Sequence, residues 1–245
     1  MKKNQLTLLL FCSILSPFTY AQTVYSDQYQ RIQSVEFVEV IENENGEEVE
    51  VKIGHQKMDG ALEAMIRASK PIKSDLSGVI MATRELIALG KEVYEIIKAG
   101  RPVTNVASEP IEVLPKDDSG EVVAAFDLTD WKKPIAKKYR VKTQNYLGMS
   151  PATFEFMIIF TYGGKLDGKG AYITGAQIKP TLVDVKWGYE LNANFKVQTI
   201  MNQGKKDNPI AAAVLMIDYK ISTVLQERSS SKMFHINGLG AMSAY

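Results

Sequence analysis

The sequence predicts a mainly β protein of the α+β class: an antiparallel β-sandwich of about eight or nine strands in 111-238, preceded by a β-hairpin and two helices. Three observations predict it. Side chains alternate with period two from Ile111 onward, Gly and Asp clusters separate the alternating runs, and apolar positions between residues 59 and 100 recur at threes and fours. The resulting division is a signal peptide (1-21), an acidic hairpin segment (22-57), a helical segment packing on the sandwich (58-100) and the sandwich itself (101-245).

Lys2 and Lys3 precede an apolar run from Leu6 to Leu15 and then Thr19-Tyr20-Ala21, the layout of a secretory signal cleaved after Ala21. The run is shorter than the roughly 20 residues that cross a bilayer as a helix, and no later stretch approaches that length. The expected product is exported, periplasmic or extracellular, without a transmembrane helix. Cys12 is the only cysteine, and the bulky Phe11 before it argues against a lipoprotein signal. Cleavage leaves a thiol-free chain, which excludes disulfides, cysteine-ligated metals and cysteine nucleophiles. It also lowers the 29 basic residues by two, against 28 acidic ones, so the mature net charge is close to −1. No bulk affinity for polyanions follows.

In the hairpin segment, Val35 to Ile41 and Val49 to Ile53 flank Asn45-Gly46, a preferred pair for a tight primed turn. Between Glu36 and Glu50 there are seven glutamates and no basic residue, so this element faces water or a cationic partner. A short helix is expected from Asp59 to Ser69. A longer one is expected from Ser74-Asp75 to a cap at Gly100, before Pro102, with Leu76, Val79, Ile80, Leu86, Ile87, Val93, Tyr94 and Ile97 as its apolar stripe.

Turn signals at Asp117-Asp118-Ser119-Gly120, Gly163-Gly164, Gly168-Lys169-Gly170 and Gly204 through Pro209 divide the remainder into antiparallel strands. Phe154, Phe156, Ile158, Phe160 and Tyr162 form one apolar face, and Tyr139 and Val141 repeat the pattern one strand earlier. Val183, Val185, Trp187, Tyr189, Leu191, Ala193, Phe195 and Val197 share one parity; Ala213, Leu215, Ile217, Tyr219, Ile221 and Leu225 do the same. Both runs are too long for ordinary strands and are expected to bend or project, with Gly188 as the expected bulge or sandwich corner.

Catalytic constellations are scarce. His55 and His235 lack a second ligand at zinc spacing, and there is no Gly-x-Ser-x-Gly elbow, P-loop, dinucleotide fingerprint or calcium loop. Glu155, Asp184, Glu190 and Asp218 carry the polar parity of their strands, which is the wet face rather than an acid pair. No cofactor, metal or enzymatic activity is expected. One surface feature rises above background, the run from Trp131 to Lys142 with six basic residues and no acid. Trp131, Lys132, Lys133, Lys138, Arg140 and Lys142 are the candidate ligand-binding residues, because Lys138, Arg140 and Lys142 share one strand face. Such a strip suits the phosphates of lipopolysaccharide or phospholipid, or an acidic protein surface such as the Glu36 to Glu50 hairpin. Near-zero net charge and an exported location exclude nucleic acid.

These features point to a secreted or periplasmic, non-enzymatic binding or structural protein of the bacterial envelope. Two alternatives follow from architecture alone. A helix ahead of a β-sandwich resembles the order of elements in actinoporins, and two long alternating runs resemble the insertable hairpin of aerolysin-like pore formers. That resemblance implies a membrane-inserting, toxin-like protein, with Val183 to Val197 long enough for a spanning strand. The alternation and the terminal Tyr245 are also compatible with an outer-membrane β-barrel.

Overall fold

The computed structural model describes residues 25–53, 64, 79–90, 93–103 and 110–245. Residues 25–30 are helical, and β1 (Ile32–Glu42), β2 (Glu48–Lys52), β3 (Val79–Ala82), β4 (Leu86–Leu89), β5 (Val93–Lys98), β6 (Arg101–Pro102) and β7 (Ile111–Pro115) follow. After a 3-10 turn at Ala125–Asp127 come β8 (Ile135–Asn145), β9 (Ala152–Leu166), β10 (Lys169–Val185), β11 (Glu190–Asn202), β12 (Ala211–Ser222), β13 (Glu227–Asn237) and β14 (Met242–Ala244). They make two antiparallel sheets, one ordered β2-β1-β8-β9-β10-β7-β4-β3 and the other β14-β13-β12-β11-β5-β6. Both contribute to one hydrophobic cluster that includes Phe154, Phe156, Phe160, Phe195, Leu215 and Phe234. Among the described residues neither sheet closes on itself, which removes the barrel alternative.

The period-two reading explains most of the core. Tyr139, Val141, Phe154, Phe156, Ile158, Phe160, Leu191, Phe195, Leu215 and Ile217 are all buried, so alternation in these strands does separate a dry face from a wet one. It fails at the corner. The run from Val183 to Val197 is two strands in different sheets, joined at Lys186–Tyr189 with Gly188 at φ +81°. A chain that changes sheets carries its connecting residues outside both, and Trp187, expected inside, is 83% exposed. Leu225 is exposed for a different reason: it lies in the hairpin turn between β12 and its sheet neighbour β13, beyond the last paired residues. The break also shortens the run expected to span a membrane as one strand.

Among the described residues the longer helix is not found: Val79–Ala82, Leu86–Leu89 and Val93–Lys98 are β3, β4 and β5. Its stripe is rich in β-branched residues, Val79, Ile80, Ile87, Val93 and Ile97, which lose little side-chain freedom in a strand and more in a helix. Gly90, at φ +123°, separates β4 from β5, and an added Cβ would meet Ile111 at 2.8 Å. Gly100 is not a helix cap. With Ala99 it has positive φ and turns β5 into β6. The short helix expected from Asp59 to Ser69 lies outside the described residues except Ala64, which is helical.

Seven strands, not eight or nine, lie between residues 111 and 238, because Gly163-Gly164 does not end one. β9 runs through it, and the turn comes at Asp167-Gly168. The Asn45-Gly46 turn also differs in detail. Gly46 alone has positive φ, its N–H donates to the Asn43 carbonyl, and Asn43 Oδ1 accepts from the Asn45 and Glu47 amides. No helix among the described residues is long and apolar enough to cross a membrane.

Candidate functional site

Strand pairing decides which of the predicted site residues remain open to a ligand. β8 lies between β1 and β9, with β2 beyond β1, so acidic side chains of three strands reach its cationic face. Lys138 Nζ is 2.6 Å from Glu48, and Arg140 reaches Glu48 and Glu50 at 2.7 Å each. The Arg140 Nε donates to Glu155 at 2.6 Å, and Lys142 pairs with Glu50 and, at 3.7 Å, with Glu36. The acidic hairpin and the basic strip are therefore each other's partner within one chain.

The array covers apolar surface. Val38 and Val40 stand opposite Arg140 and Lys138 in the β1–β8 register, on the same face, and both are buried. Long cationic side chains can lay their methylene stems over such residues while their heads meet carboxylates. Hydrogen bonds from Lys138 and Arg140 hold the Glu48 carboxyl below its ordinary value, and those from Lys142 and Arg140 do the same for Glu50. With four glutamates around three cations, little field is left for an external anion.

The other half of the predicted set is elsewhere. Trp131 and Lys132 align with Tyr162 to Gly164 of β9, about 25 Å along that strand from Glu155. The Trp131 Nε1 donates to the Ala125 carbonyl at 3.1 Å, and its ring covers Gly164, where an added Cβ would lie 2.5 Å away. Lys132 and Lys133 are exposed near it. The six residues are not one site.

A different cluster is open. The β1 strand is paired with β2 only from Val38 onward, and β14 reaches only the Met233 end of β13. Between these half-free strands lies a cleft of about 410 Å³. Val35, Phe37 and Ile53, all packed against the core, give it an apolar floor. Arg228, Ser230 and Lys232 enter from β13. Their cross-strand partners Ile221, Tyr219 and Ile217 are buried, so they continue the inward face of Phe234 and Ile236. Lys232 Nζ lies 5.1 Å from the Phe37 ring centroid, within cation–π reach. Burial pushes the Tyr219 hydroxyl up, which keeps it protonated beside Ser230. No carboxylate lines the cleft, and Arg228 and Lys232 form no ion pair among the described residues.

No family model matches the chain, and no characterised protein or solved structure is found similar to it. Chemistry at the site therefore rests on the residues alone.

Other reactive residues are accounted for locally. His235 meets Gln203 at 2.9 Å, and burial lowers its pKa, so it stands neutral. His55 lies outside the described residues. The four strand carboxylates each have their own partner: Glu155 has Arg140, Asp184 has Lys186, Glu190 has Asn192, and Asp218 has Lys196. No group of three His, Cys, Asp or Glu converges among the described residues.

Sequence reasoning passed over Arg228 and Lys232 because they sit in a mixed run, Glu227-Arg-Ser-Ser-Ser-Lys232. The available signal was parity: 228, 230 and 232 share it with 234 and 236, so a strand built for the core has polar residues along half of its inner face.

Proposed function

We propose that the protein is an exported, non-enzymatic binding protein of the bacterial envelope, and that the cleft between β1 and β13 takes an anion with an apolar body. The two sheets then act as a β-sandwich whose open side is the ligand entrance. The observation that carries this reading is the pair Arg228 and Lys232 on the inward face of β13, without an ion pair among the described residues and beside Phe37, Val35 and Ile53. Arg228 is exposed and Lys232 half-buried, so both cations are within reach of a ligand, and their place over an apolar floor fits one that supplies both the anion and the apolar contact. The volume lies in the range of small-molecule sites, about 300–1,000 Å³. Export is supported by Lys2, Lys3, the apolar run and Ala21.

Titration calorimetry on the mature chain with octyl phosphate, compared with octanol, tests the reading. Octyl phosphate binds, octanol binds at least tenfold more weakly, and the Arg228→Ala/Lys232→Ala variant loses at least tenfold affinity for octyl phosphate. Equal affinity for both ligands, or a double variant that binds as the parent does, overturns it.

A further inference from the structure

A second surface, at one end of the molecule, carries apolar side chains that no ligand cleft accounts for. Three turns meet there: residues 146–149 between β8 and β9, 186–189 between β10 and β11, and 223–226 between β12 and β13. Trp187 is 83% and Val224 81% exposed, and Tyr146, Leu225 and Met149 are exposed with them. These belong to separate connections, yet one short segment ties them together. The Tyr29 hydroxyl donates to the Trp187 carbonyl at 3.0 Å, and its own carbonyl accepts from Asn145 Nδ2 at 3.0 Å and from the Tyr189 hydroxyl. The Thr223 hydroxyl donates to the Gln30 carbonyl at 2.9 Å, and Gln226 Oε1 accepts from the Ile32 amide at 2.9 Å. Asn145 in turn holds the Leu147 and Met149 amides. The apolar groups are thus presented on a braced platform and not on independently moving loops.

We propose that this end of the molecule docks on the interfacial layer of a lipid bilayer, with Trp187, Tyr146, Val224 and Leu225 entering it. Tryptophan and tyrosine prefer the headgroup level, where the ring is dehydrated and its polar edge stays wet, and aliphatic neighbours reach deeper. Five apolar side chains project from three turns, separated by polar residues such as Lys186, Thr223 and Gln226. A soft apolar phase that adapts to projecting side chains fits them. Charge favours a neutral surface: Asp184 with Lys186, Asp27 with Arg31 and Glu227 with Lys220 pair nearby, at 2.9, 2.8 and 3.2 Å. Binding therefore depends on apolar burial and not on anionic lipid. Because the turns are already braced, little ordering is lost on docking.

Flotation of the mature chain with phosphatidylcholine vesicles tests this, with quenching of tryptophan fluorescence by brominated lipid as the second readout. The protein floats, and replacing a fifth of the lipid with phosphatidylglycerol changes the partition coefficient less than threefold. Trp187→Ser/Leu225→Ser lowers it at least tenfold with unfolding unchanged, while Phe126→Ser, which removes an exposed aromatic from another part of the surface, leaves it unchanged. Failure to float, a partition that needs anionic lipid, or equal partition of the double variant overturns the proposal. So does a dimer in solution that Trp187→Ser dissolves, because the end would then be covered by a second copy.

Discussion

β8 and β13 each turn three alternating polar side chains one way, Lys138-Arg140-Lys142 and Arg228-Ser230-Lys232, yet they end in opposite electrostatic states. β8 lies inside its sheet, and carboxylates arrive from β1, β2 and β9. β13 is left by β14 along half its length, and among the described residues no acid lines the cleft it borders. The lesson is that a cationic run acquires its meaning from its cross-strand partners, which lie 90 or more residues away for Lys138 and Glu48. The stronger sequence signal became internal scaffolding, and the weaker one is left open.

The largest expected effect breaks the closed side. Arg140→Ala strands Glu155, whose side chain is 8% exposed, and removal of one partner of a buried pair costs about 3 kcal/mol. Urea unfolding measures it, and Arg140→Leu/Glu155→Leu regains most of the loss, since no charge is then buried alone. Acid does the same to the outer pairs more gently. Glu48 and Glu50 have folded pKa values below the ordinary 4.5, so their contribution is complete above that value and disappears as pH falls through the folded pKa. Amide protection factors of Val49 and Val51, corrected for the intrinsic pH dependence of exchange, are therefore constant above about pH 5 and fall as pH drops through the folded pKa, ahead of those of β12. The smallest effect is on the open side. Arg228→Ala/Lys232→Ala changes unfolding free energy by about 1 kcal/mol or less, because neither residue has an ion pair among the described residues and only the Lys232–Phe37 contact is lost.

The sequence made the wet and dry faces legible wherever a strand stays in one sheet: Tyr139, Val141, Phe195, Leu215 and Ile217 are buried as their parity requires. Gly188 marked the corner where the chain changes sheet, but parity resumes at Tyr189 and so did not show that Trp187 is turned out there. The sequence misassigned residues 79–98 because apolar pairs spaced by three or four fit both a helix stripe and three short strands. Of the candidate site, Lys138, Arg140 and Lys142 were placed on one face as alternation demands, and the Glu36 to Glu50 hairpin was one of the surfaces suited to them, but nothing local singles it out from an external anion. The cleft was hidden for the complementary reason. Its cations become notable only when β1 and β13 are seen to lose their partners on facing edges.

Amide-resolved NMR during titration with octyl phosphate contrasts the two strands in one experiment. The account predicts shifts centred on Phe37, Ser230 and Lys232, with Lys138, Arg140 and Lys142 silent. Shifts centred on residues 138–142, with 228–232 unmoved, would contradict it.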